Sequence, residues 1–112
     1  MQNKTLLALA FIRNTVMELP GVTEQLCFGT PAFYAGKHIF ARLKEDQENL
    51  VVHTIEREQW MQKDPITFFI TDHYVNYKYM LVNLERVHPN DLKALLLMAW
   101  KNRAPKKILN EL

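Results

Sequence analysis

The 112-residue sequence contains no serine, so a Ser/His/Asp catalytic triad cannot be assembled from it. Its single cysteine, Cys27, cannot form an internal disulfide, and no CxxC pair or Cys/His cluster offers a zinc site. This cysteine usage points to a reducing, cytoplasmic setting. Only three glycines are present, Gly21, Gly29 and Gly36, too few and too spread for a GxGxxG turn or a P-loop phosphate cradle. The apolar run Leu6 to Ile12 is closed by Arg13 and Asn14, which makes it too short to span a bilayer, and no small-residue cleavage site follows it. None of these counts calls for a cofactor, a metal or a known reaction.

What is present describes an ordinary globular chain. Hydrophobic residues make up 48% and charged residues 23%, enough to bury one core and too apolar for a disordered chain. A single domain over residues 1–112 follows from the length. The net charge of +2 is short of the excess expected from a dedicated nucleic-acid domain, yet it is unevenly spread. Residues 1–77 hold seven Lys/Arg against nine Asp/Glu, and residues 78–112 hold seven against three. Positive potential is therefore expected toward the C-terminus, where it serves either as a solvated face or as a site for an anionic partner.

The three glycines and two prolines, Pro20 and Pro31, crowd into the stretch Leu19 to Leu43, which reads as successive turns between short strands. Before it, Leu6, Leu9, Ala10, Ile12, Val16 and Leu19 approximate helical spacing, with Asn3 as cap and Leu19-Pro20-Gly21 as the stop. Strands are expected over Glu24 to Phe28, Ala32 to Ala35, His38 to Leu43 and Leu50 to His53, with Gly36-Lys37 as a two-residue hairpin turn. Thr54 is placed to cap a short helix through Lys63, anchored by Trp60 and Met61. Phe68 to Ile70 and Tyr77 to Leu84 read as two more strands. Pro89 opens a helix whose apolar stripe is Leu92, Leu95, Leu96, Ala99 and Trp100, interrupted at Ala104-Pro105. The order predicts a two-layer α+β fold, an antiparallel sheet of five to six strands with helices on one face. The other face is left as an available surface.

Four histidines remain as candidate chemistry: His38, His53, His73 and His88. None is spaced as a helical metal pair. His53 reads as structural and His88, before Pro89, as a capping residue. His73, flanked by Asp72 and Tyr74, would need a pocket beside it to act on a small molecule. The aromatic residues, Phe28 among them, are mostly core by number and placement. Strand alternation still forces some tyrosines outward, where they serve either for stacking on bases or for cross-strand packing. Lys101, Arg103, Lys106 and Lys107 surround the end of the last long helix; there they complement the helix dipole or bind phosphate.

Leu19-Pro20-Gly21-Val22 with Glu24, Gly29-Thr30-Pro31-Ala32-Phe33 with Gly36-Lys37, and Phe40-Ala41 form a linked set of short motifs. His73-Tyr74 with Asn76, Lys78 and Tyr79 follows, then Ala99-Trp100 with Ala104-Pro105-Lys106. Together, in this order and spacing, they resemble the MmcQ/YjbR-like family of small bacterial proteins. The resemblance covers nearly the whole chain. It implies a CyaY-like or secretion-chaperone-like α+β fold, and a link to DNA, because some members are described as DNA-binding through a "double wing" of hairpins. Tyr79 departs from the family pattern, which often has tryptophan there.

The expectation drawn from both lines is a non-enzymatic DNA-binding module without cofactor or metal. Lys37, Lys78 and Lys106 would contact phosphates of double-stranded DNA, and Tyr34, Asn76 and Tyr79 would reach bases or sugars. A protein-interaction or chaperone-like module using the same sheet face is the alternative. A small-molecule pocket at His73 and Tyr74 is a third reading.

Overall fold

A computed structural model describes residues 3–110. Helix α1 spans Asn3–Val16 and buries Thr5, Leu9, Ile12 and Val16 on one stripe. Strands β1 (Val22–Cys27), β2 (Thr30–Ala35), β3 (His38–Leu43) and β4 (Asn49–His53) follow as a meander. Helix α2 (Arg57–Lys63), the two-residue strand β5 (Phe68–Phe69), a 3₁₀ turn at Asp72–Tyr74 and strand β6 (Tyr79–Asn83) come next. Helices α3 (Pro89–Arg103) and α4 (Lys106–Leu109) close the order. All strands pair antiparallel in the sequence β1-β2-β3-β4-β6-β5, so the fold is the expected α+β type with six strands. Among the described residues, no helix is long and apolar enough to cross a membrane.

The core lies between the sheet and the helices. Phe33, Phe40, Leu43, Leu50, Val52, Met80 and Val82 from the strands meet Leu9, Ile12 and Val16 of α1 and Leu92, Leu95 and Leu96 of α3. Phe33 and Phe40 are fully buried, each contributing about 1.5–3 kcal/mol of transfer free energy. The α3 stripe is the five residues that its spacing predicts. At its start the His88 Nδ1 accepts the Asn90 N–H at 3.0 Å, and Pro89 occupies the first turn, where its missing N–H costs nothing. Near its end, the Trp100 indole N–H donates to the Pro20 carbonyl at 3.0 Å and ties α3 to the turn before β1.

Several local expectations shift. α1 ends at Val16, and Leu19-Pro20-Gly21 belongs to the turn, with Gly21 at φ +72°. Thr5, not Leu6, takes the buried position, because its hydroxyl can donate to the Gln47 carbonyl at 2.7 Å while Leu6 points outward. Asn3 is already in the helix. Thr54 forms a local turn, accepting the Glu56 N–H, and α2 begins three residues later with no side-chain cap. Trp60 does anchor α2, its ring 5.1 Å from that of Phe68.

One irregularity shapes the sheet. Phe33 pairs with Ala41 but Tyr34 pairs with Ile39, so Phe40 is an extra residue in β3. Such a bulge bends its strand and increases local twist. Here it lets Phe40 and Ala41 both turn into the core. The Ile39 carbonyl accepts hydrogen bonds from Arg103 Nε at 3.1 Å and from the Tyr79 hydroxyl at 3.3 Å. The bulge thereby joins the end of α3 to the start of β6.

Candidate functional site

The sheet face away from the helices is built by alternation from Tyr34, Ile39, Arg42, Val51, His53, Tyr79 and Leu81. It is less bare than expected, since Val51, His53 and Leu81 are buried. The segment between β5 and β6 folds back over it, and His73, Tyr74 and Tyr77 border a cavity of about 270 Å³ that Ile39, Arg42, Val51 and Tyr79 also line from the sheet. Arg57 of α2 holds that segment in place. Its guanidinium donates to the carbonyls of Tyr74 at 2.7 Å, Val75 at 2.6 Å, Tyr77 at 2.5 Å and Tyr79 at 3.2 Å. Few residues could do this: the planar fork of arginine presents five donors in fixed directions.

Phe28 forms the far wall. The residue was expected in a strand and among the core aromatics, but it lies in the β1–β2 turn, 82% exposed. Phe28 and Gly29 both have positive φ, +53° and +80°, the conformation a two-residue hairpin turn needs to match strand twist. An aromatic residue rarely accepts it. The Arg42 guanidinium stands over the Phe28 ring, 5.4 Å from its centroid. Arg42 Nη1 also donates to Glu45 and, at 3.4 Å, to the Thr30 hydroxyl.

At the opposite end of the sheet the basic residues gather. The β2–β3 turn carrying Lys37 sits against the joint between α3 and α4, where a Cβ on Gly36 would lie 3.3 Å from Pro105 and 3.2 Å from Ile108. Lys106 follows that joint directly. Lys78 precedes β6, its carbonyl accepting the Thr54 N–H at 2.9 Å, and Arg103 reaches the same corner through Ile39. Lys37, Lys78 and Lys106 are exposed, and none of these four cations forms an ion pair among the described residues. His53 registers their field. It is 7% exposed, its Nδ1 has no partner among the described residues, and its ring meets Tyr79 edge-on at 5.4 Å. Burial first, then the charges of Arg103 and Lys78, push its pKa down to about 4.

Of the six residues singled out from sequence, the three lysines and Tyr79 thus share one end of the sheet. Tyr34 lies on the outer face opposite Ile39, half-buried. Burial and then the neighbouring Cys27 thiol hold its phenol above the ordinary value. Asn76 lines a depression with Lys78, Ile55 and Glu58. Phe28, Arg42 and Arg57 were not singled out. Phe28 alone has a local signal, the glycine after it, which marks a two-residue turn between Cys27 and Thr30.

Layer order and strand topology define a two-layer α+β domain with an antiparallel sheet. The chain belongs to the YjbR family, whose model matches residues 17–102. Among solved structures, it is similar to the crystal structure of protein DR2400 of Deinococcus radiodurans, which carries the DUF419 domain. The similarity has a TM-score of 0.66 at 23% identity and covers 80% of this chain and 72% of that one. It bears on the fold alone. No curated protein matches the sequence.

Proposed function

We propose that the chain is a non-enzymatic DNA-binding domain that meets the duplex with the basic end of its sheet. The observation that supports this reading is the convergence of Lys37, Lys78 and Lys106, distant in sequence, at one corner with Arg103 and without carboxylate partners among the described residues. The lysines contact phosphates, which position the domain. Tyr34, Asn76 and Tyr79 are the nearer candidates for sugar or base contacts. Tyr79 is held by its bond to Ile39 and its contact with His53, so its role is to shape the corner as much as to touch DNA.

The test is fluorescence anisotropy of labelled duplex DNA across a salt series. Each phosphate contact releases roughly 0.9 counterion. The Lys37→Glu/Lys78→Glu double variant should bind more weakly and lose about two units of the log–log salt slope. Wild-type affinity and slope in that variant would refute the proposed surface.

A protein partner is the second reading. Its support is β1, which forms an edge of the sheet and carries Leu26, 76% exposed. An extended peptide can add to such an edge through backbone hydrogen bonds.

A further inference from the structure

We infer that the cavity on the outer sheet face is a binding site for one planar heteroaromatic ring system with acceptor atoms on its edge, the chemistry of a nucleobase. Three features of the cavity converge on this ligand.

The first is shape. The side chains of Ile39 and Val51 give it an aliphatic base, and the rings of His73, Tyr74, Tyr77 and Tyr79 line it. His73 and Tyr77 lie 6.0 Å apart with planes inclined by 32°, and Tyr74 stands perpendicular to His73 at 4.7 Å. The volume, about 270 Å³, lies just under the range of pockets that enclose drug-sized molecules. It holds one or two fused rings and leaves any sugar and phosphate outside.

The second feature is Arg42. Its side chain is 11% exposed and donates from Nη1 to Glu45 and Thr30, and the Tyr74 hydroxyl is a further acceptor beside the guanidinium, which leaves donors of its five-donor fork for a ligand. A guanidinium edge of that kind pairs with two adjacent acceptors in one plane, as at the edge of a purine. Glu45 already balances the charge, which favours a neutral acceptor edge over a second carboxylate.

The third is Phe28. An apolar ring is held in water on a left-handed backbone. Strain of this sort concentrates where a ligand is clamped. A ring stacked in the cavity would cover Phe28 on its free side.

The base could come from a free nucleotide or from an unpaired stretch of nucleic acid, and the test separates these sources. Calorimetry with the four nucleoside 5′-monophosphates is run beside anisotropy with a short single-stranded oligonucleotide. Binding of a monophosphate assigns the free ligand, and binding of the oligonucleotide alone assigns the strand; either supports the site. Phe28→Gly and Tyr77→Ala should each weaken the binding by about fivefold or more, the effect of removing one stacking ring. Phe28→Gly suits the positive φ, so loss of binding in it is not loss of fold. The Lys37→Glu variant, in the β2–β3 turn and outside the cavity lining, should keep the binding, which separates this site from the duplex surface. No binding of either ligand at millimolar concentration, or wild-type affinity in both ring variants, overturns the inference.

Discussion

Replacing Arg57 by alanine tests how the site is held together. The side chain is 16% exposed and serves four carbonyls, those of Tyr74, Val75, Tyr77 and Tyr79. A hydrogen bond to a charged group contributes about 1.5–3 kcal/mol net. The four do not simply add, because Val75 and Tyr77 are exposed and their carbonyls regain water once the segment lets go. The loss is therefore capped by the stability of the segment itself, and the expected global cost is about 2–3 kcal/mol. The local effect is larger. The amides of Tyr74, Val75 and Tyr77, bonded to the carbonyls of Thr71, Asp72 and Tyr74, should exchange with solvent at least ~30-fold faster, the factor that corresponds to 2 kcal/mol. Amides in β4 and α3 should change only with global stability. Arg57→Lys should recover a minor part, since a point ammonium cannot span four carbonyls. Hydrogen exchange followed by mass spectrometry or NMR, together with urea melts, measures both terms. Unchanged exchange in residues 72–78 of Arg57→Ala, or full recovery by lysine, would refute the clamp.

His53 should make stability fall in mild acid. Its folded pKa of about 4 lies below the usual 6.5, so the folded state favours the neutral ring; the contribution is complete above pH 6.5 and is lost as pH falls toward 4. The loss approaches about 3 kcal/mol at full protonation, and the difference between wild type and His53→Gln in urea melts at pH 7 and 4.5 isolates it from the carboxylates. If both proteins lose the same stability, the buried neutral histidine is refuted. Gly29→Ala and Gly21→Ala both put a side chain at positive φ, +80° and +72°, at a cost of about 1–2 kcal/mol. Only at Gly21 would the new Cβ also strike Ile108, at 2.5 Å. Gly21→Ala should therefore cost about 1 kcal/mol more, an excess that disappears when Ile108→Ala is added. Equal costs in the two glycine variants would mean that α4 does not pack there.

The element order was legible because it rests on local periodicity and on turn residues. Leu92, Leu95, Leu96, Ala99 and Trp100 repeat at helical spacing, and Gly36-Lys37 can only be a tight turn between His38 and Ala35. Position within an element was less legible where a polar contact competes with hydrophobicity. Thr5 displaces Leu6 from the buried stripe through one bond to Gln47, a partner 42 residues away. The bulge at Phe40 is hidden because register belongs to a pair of strands, and the apolar run Ile39-Phe40-Ala41 does not say which residue is the extra one.

The candidate site was legible in its charges and hidden in its architecture. Exposed lysines near turns can be named from sequence, and topology then decides whether they meet; the turn at Gly36, the Pro105 joint and the start of β6 bring them to one end of the sheet. Arg42 stands between Ala41 and Leu43 and Arg57 between Glu56 and Glu58, and neither setting names the partners it takes. The first floors a cavity because strand alternation turns it away from Ala41 and Leu43. The second becomes internal because the β5–β6 segment folds onto it and leaves four carbonyls needing a donor. These two arginines set the geometry of the ring-walled cavity, while the lysines set the potential at the far end. Substitutions at Arg57 should thus disturb ring stacking and, through the Tyr77 and Tyr79 carbonyls on either side of Lys78, one phosphate contact, whereas reversal at Lys37, in the β2–β3 turn, should leave the ring-walled cavity intact.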